Sequence, residues 1–195
     1  MVRYSPALTL GQARHQYFER SGFADGAYAE RWVRLKAGPI ILWFPNTSAR
    51  VRAVKLHDLH HVLAEYGTTW TGEAEIGAWE IASGCAGHYP AWILNCGAVA
   101  IGLVIAPRYT YRAFVRGRHS RNLYRTEFSE ALLDRTVGEV RRQLDLDHAG
   151  SRATMADGAA FLLCAVTTVV ISLLPWALVL MLVCSPLLVW RLLVH

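Results

Sequence analysis

KLHDLHHVLAEYGTTWTGEAEIGAWE, residues 55–80, decides the fold. Apolar residues recur there at helical spacing, the glycines at 67 and 72 interrupt them, and Thr71 with Glu73 and Glu75 restarts them. The stretch therefore predicts two consecutive helices folded back on each other. His57 and His61 stand four residues apart, so at about 100° per residue they differ by only about 40° around the helix and can meet one ion. Asp58 lies about 60° from His61 on that side. Glu73 cannot share the face, because the glycines break the pattern, and it reaches the histidines only from the second helix. Two imidazoles from one helix and an acid from the next is how helical metalloenzymes build a ligand set with positions left open. The candidate site is thus a divalent metal held by His57, Asp58, His61 and Glu73, which are also the candidate catalytic residues. Histidines at this spacing also occur on plain solvated faces, and the acid from the next helix tips the reading toward metal. His60 projects about 100° away from His61, which gives it a structural role behind the ligands. Glu65 or Glu80 can orient a ligating histidine, Glu65 otherwise facing solvent.

Outward from this pair the pattern stays helical. Residues 10–20 predict a first helix stopped near Gly22, and Asn46, Thr47 and Ser48 offer a cap for a central helix over 49–66. Residues 91–106, closed by Pro107, are short for a crossing and contain Asn95, Gly97 and Gly102. They predict a helix buried in protein or lining a lipid groove, the alternative being a third membrane segment. Thr136 and Glu139 form a capping box ahead of a helix over 137–146. Only 29–44, with apolar runs on both sides of Ala37, Gly38 and Pro39, reads as a short β-hairpin. The expected fold is all-α, with that hairpin as its one strand element.

The 195 residues are 53 % hydrophobic and 18 % charged, and the excess apolar content lies at the C-terminal end. Over 159–194 the only ionisable side chains are Cys164, Cys184 and Arg191. This is a membrane signature, and it is longer than the roughly 20 residues one crossing needs. Pro175 divides the run and Trp176 can sit at an interface, which predicts a transmembrane helical hairpin. The alternatives are a pair of helices that dips in without crossing, or one long tilted helix kinked at Pro175. The organisation expected is a helical metal- and lipid-binding domain over 1–150, a linker over 151–158 and the hairpin over 159–194. Arg112, Arg116, Arg118, Arg121, Arg125, Arg141, Arg142 and Arg152 precede the run, and Arg191 and His195 close it. By the positive-inside tendency the N-terminal domain faces the cytoplasm. The net charge of +5, next to an apolar anchor, suits anionic lipid headgroups rather than nucleic acid. The aromatic and basic stretch YRAFVRGRHSRNLYR, residues 111–125, takes the same reading of headgroup or phosphate contact. Cys85, Cys96, Cys164 and Cys184 form no CxxC pair, and the N-terminal residues lack the apolar core of a secretory signal, which agrees with a reducing, cytoplasmic setting.

GxSxG, P-loop, GxGxxG and HExxH signatures are absent from the sequence, so the motif-bearing hydrolase, nucleotide-binding and zincin classes have no support. His57-Asp58-x-x-His61, eleven residues, then Glu73 resembles the HDxxH(x11)E motif of COQ four, a family of coenzyme Q (ubiquinone) biosynthesis proteins. Weaker similarity extends to His61–Leu63 (HVL), Gly72-Glu73, Glu80, Arg116–Arg118 (RGR) and the helix over 137–146, within about residues 8–147. Leu59 and His60 stand where the family usually has an aromatic pair, and the family core usually lacks a C-terminal hairpin. The resemblance implies a helical, membrane-associated, lipid-binding protein with zinc or iron at the motif. It implies action on a polyprenylated hydroxybenzoate, removing the ring carboxyl carbon, with that prenylated aromatic lipid, the membrane and other quinone-biosynthesis proteins as partners. Two rivals keep the same residues: a non-catalytic prenyl-lipid scaffold, and a membrane-anchored metal-dependent lipid hydrolase.

Overall fold

A computed structural model of the chain describes residues 3–22, 28–37, 40–147 and 153–194. The decisive stretch forms α2 (Ser48–Ala64) and α3 (Trp70–Ser83). Thr47 caps α2 by accepting the Arg50 N–H, within the expected capping trio. The helix stops three residues before Gly67, because Glu65 turns left-handed at φ 64° and its carboxylate meets Arg141 at 3.0 Å. Glu65 is therefore a helix terminator held by an ion pair and orients no histidine. Thr69, not Thr71, caps α3, its hydroxyl accepting the Gly72 N–H at 3.2 Å.

Upstream, α1 (Leu10–Ser21) opens with a reciprocal capping box between Thr9 and Gln12 and closes at Gly22, φ 71°. The expected hairpin is present as antiparallel β1 (Trp32–Ala37) and β2 (Ile40–Pro45), in register from Trp32↔Pro45 to Ala37↔Ile40. Its turn residues Gly38 and Pro39 lie outside the described residues. Downstream come α4 (Tyr89–Ile105), α5 (Pro107–Arg118), α6 (Glu130–Leu133) and α7 (Val137–Gln143). The Thr136–Glu139 capping box of α7 forms as predicted. The architecture is mostly helical around one core that includes Leu10, Leu56, Leu59, Leu63, Ile76, Trp79 and Val140. Each such side chain contributes roughly 1.5–3 kcal/mol by leaving water.

Helix α3 packs between α4 and α5, and two glycines set how closely. A Cβ at Gly117 would stand 2.4 Å from the Trp79 carbonyl oxygen, and one at Gly102 would stand 2.5 Å from the Ala74 Cβ. Part of the arginine stretch serves this packing rather than lipid or phosphate. Arg116 donates to the Ala64 carbonyl at 2.7 Å, satisfying a C-terminal carbonyl of α2.

The C-terminal run differs from the hairpin expected. It forms one continuous helix, α8 (Met155–Val194), which passes through Pro175. The physical reason is that Ser172-Leu173-Leu174-Pro175-Trp176 offers no Gly, Asn or Asp to reverse the chain. A proline alone removes one helical N–H and kinks rather than turns the chain. The helix also starts inside the expected linker. Thr154 and Asp157 cap each other reciprocally, and Asp157 further accepts from Arg118 Nε at 2.6 Å and His119 Nε2 at 3.1 Å. Phe161 then packs edge-on against Tyr111 and Phe114 of α5. Residues 148–152 and His195 lie outside the described residues. By length and composition Met155–Met181 could cross a membrane. The 17-residue α4 is shorter than a crossing, and Ala91, Asn95, Val99 and Gly102 are buried on one side of it.

Candidate metal centre

Along α2, the i, i+4 spacing brings the His57 and His61 rings to 4.7 Å between centroids, with their Nε2 atoms 3.1 Å apart. Glu73, in the first turn of α3, straddles the pair: Oε2 lies 3.6 Å from His57 Nε2 and Oε1 lies 3.5 Å from His61 Nε2. The partners behind the rings fix the tautomers. His61 Nδ1 faces the Tyr66 carbonyl oxygen at 3.1 Å and must donate to it, which leaves Nε2 as an acceptor. His57 Nδ1 likewise faces the Glu80 carboxylate at 2.9 Å. With His57 neutral, two imidazole lone pairs and a carboxylate converge with no donor among them, an arrangement completed by a cation, either a proton on His57 Nε2 or a metal ion in its place. A tetrahedral ion with bonds of about 2.0–2.1 Å sets its ligand atoms about 3.3 Å apart, close to the spacing present. His57, His61 and Glu73 could therefore hold a metal ion. The Glu73 side chain is 34 % exposed and that of His57 21 %, against 1 % for His61, so one side of the cluster is open to a ligand.

Glu80 is the support of the site. Its side chain is fully buried and carries four contacts: Oε1 faces His57 Nδ1 and His60 Nδ1 (2.6 Å), while Oε2 accepts from Asn95 Nδ2 (2.6 Å) and the Tyr124 hydroxyl (2.8 Å). Burial pushes this carboxyl up, but the His57 charge and the bonds from His57 and His60 outweigh it and hold the group well below its ordinary range. A carboxylate behind a ligating imidazole sets its tautomer and raises its basicity. For His57, burial works against the charged form, yet Glu80 and Glu73 lift it well above 6.5. The field that favours a proton at this point favours a metal cation as well. His61, buried and beside His57, is pushed down to about 4 and is neutral at neutral pH. Glu73 is also pushed up by burial, but its bond to His57 and the two imidazoles bring it below 4.5.

His60 has the structural role expected. Fully buried, it accepts the Leu123 N–H at Nε2 (2.9 Å), so its Nδ1–H donates to Glu80 and the ring ties α2 to both α3 and the 119–125 segment. Asp58 does not converge with the other three proposed ligands. One residue on from His57, it is turned aside and accepts from the Tyr28 hydroxyl, and burial raises its carboxyl to about 6. Tyr17 of α1 stacks on His61 with centroids 5.3 Å apart and planes 17° apart, closing the inner side of the cluster.

Tyr17, Tyr28, Asn95 and Tyr124 were not legible as site residues, since each arrives from a distant part of the chain. Asn95 carried one usable signal, a lone amide inside the apolar run that became α4. No protein-family model, no curated protein and no solved structure matches the chain.

Proposed function

We propose that this protein is a membrane-bound, metal-dependent enzyme of ubiquinone-biosynthesis type that removes the ring carboxyl carbon of a polyprenylated hydroxybenzoate. The observation that carries the reading is the cluster of His57, His61 and Glu73: three converging acceptors, open on one side, at the spacing of the resembled motif. A divalent ion there, zinc or iron, supplies Lewis-acid polarisation of a ring carboxylate or phenolic oxygen, with dioxygen chemistry added if it is iron. The protein's own contribution is positional. Glu80 holds His57 from behind, the Tyr66 carbonyl holds His61, and Tyr17 screens the His61 ring, so the approach left open is the side of Glu73 and His57. The apolar length of α8 supports a membrane address, where a polyprenyl substrate resides, with the helical core on the cytoplasmic face.

The test is a chromosomal deletion complemented with Glu73→Gln, which keeps size and hydrogen bonding but removes the charge that balances the ion. The variant is expected to be stably expressed and membrane-bound, to bind substoichiometric metal, and to leave a prenylated aromatic acid accumulated and the quinone depleted. Normal quinone and prenyl-benzoate levels in the deletion itself would sink the assignment. Restoration by a metal-free Glu73→Gln protein would leave a lipid-presenting scaffold instead.

A further inference from the structure

A helix on the surface of a soluble protein keeps a polar outer face, whereas one apolar all round is buried in protein or lipid. α4 is apolar all round and only half buried. Opposite its buried side stand Ile93, Leu94, Ile101, Val104 and Ile105, with Val104 82 % exposed. The first turns of α8 lie against α4, meeting it through Cys96 on one helix and Cys164 and Thr168 on the other, and they too point Leu162, Leu163, Val166 and Val170 outward. The two helices thus share one apolar face, larger in kind than the scattered exposed residues of ordinary surfaces.

Its frame says what covers it. Tyr89 and Trp92 stand at one end of α4, while Tyr109 stands just past the other with the exposed Arg108 and Arg112. Amphipathic aromatics and arginines around an apolar field are what a headgroup layer takes, the arginines meeting anionic phosphates. The face also continues along α8, without a charged residue between Asp157 and Met181, into exposed Leu173, Leu178 and Met181. We propose that the outward face of α4 and the first turns of α8 is seated in the hydrocarbon and headgroup boundary of a bilayer. The core itself, and not only its C-terminal helix, is then immersed. This inference rests on α8 being a membrane helix and is independent of any chemistry at the metal centre.

The experiment places photoreactive benzoylphenylalanine, one position at a time, at Ile93, Val104, Leu180 and Glu130 of the full chain. The purified protein is reconstituted in vesicles of phosphatidylcholine and phosphatidylserine, irradiated, and its adducts identified by mass spectrometry. All four side chains are exposed, so the fold tolerates the change. Lipid adducts at positions 93 and 104, at yields near that at position 180 and well above that at position 130, are the expected result. A lipid adduct at position 180 alone would overturn the proposal while sparing the membrane reading of α8. Cross-linked dimers through positions 93 and 104 would overturn it in favour of a second copy of the chain. No lipid adduct at any position would overturn both.

Discussion

Glu80 shows how much a single buried carboxylate organises, because its two oxygens take contacts from α2, from α4 and from the segment after α5. Glu80→Gln removes the negative charge behind His57 and sets an amide donor either against His57 and His60 or against Asn95, all of which already donate. Metal affinity is expected to fall about 10–100-fold, measured by competition with a chelator of known strength, with His57, His61 and Glu73 all still present. An unchanged affinity would show that the imidazoles are held without it. His60→Ala separates support from ligation. It leaves the Leu123 N–H unsatisfied and opens a cavity beneath Trp79, so denaturant unfolding should register a loss of about 3 kcal/mol or more. Metal stoichiometry by elemental analysis should survive where the variant folds. At this scale the sequence is legible only locally. His57 and His61 declare themselves by spacing on one helix and Glu73 by its place in the first turn of the next, whereas Tyr124 reaches Glu80 across 44 residues, a distance no local pattern spans. Asp58 illustrates the converse, since its angle on the helix wheel is compatible with ligation and its partner Tyr28 comes from the segment before the hairpin.

Among the elements, three that open on a threonine cap are placed closely by the sequence. α1, α2 and α7 carry Thr9, Thr47 and Thr136 at their N-caps, and their starts fall where the reading placed them to within a residue. α5 was missed because its apolar positions alternate with arginines, which resembled a charged surface patch until Arg116 was found against the end of α2. At α8 the hairpin gives way to the alternative of one long helix, because Pro175 does not reverse the chain. Helix packing offers the sharpest test here. Gly117→Ala would drive a methyl group to 2.4 Å from the Trp79 carbonyl oxygen and 2.8 Å from the Ala82 Cβ, neither of which is a flexible side-chain end. The α3 and α5 helices must separate, and thermal unfolding should report a loss of about 1–3 kcal/mol or more. A melting temperature equal to that of the parent protein would mean that this interface is looser than the backbone positions indicate.

For the molecule as a whole, the metal centre joins α2 to α3, so an ion bound there stabilises the folded chain by mass action. At a free ion concentration of about 1,000 times Kd the gain is about 4 kcal/mol. Chelation should accordingly lower the melting temperature of the parent protein and leave that of a His57→Ala variant unmoved; equal shifts in both would place the bound ion elsewhere. Removal of the chain from Met155 onward uncovers Phe114 and Cys96, and the shortened protein is expected to aggregate in size-exclusion chromatography. The length of α8 has one more consequence. Forty helical residues extend about 60 Å, about twice the hydrocarbon thickness of a bilayer. Seated in the bilayer proposed above, such a rod would cover its apolar surface by leaning, and its foot is clamped to α5 through Arg118 and Phe161. Whatever sets the lean of the rod therefore sets the lean of the core: in a thicker membrane both stand more upright, and the mouth of the metal centre changes its angle to the plane of the headgroups with no rearrangement inside the protein.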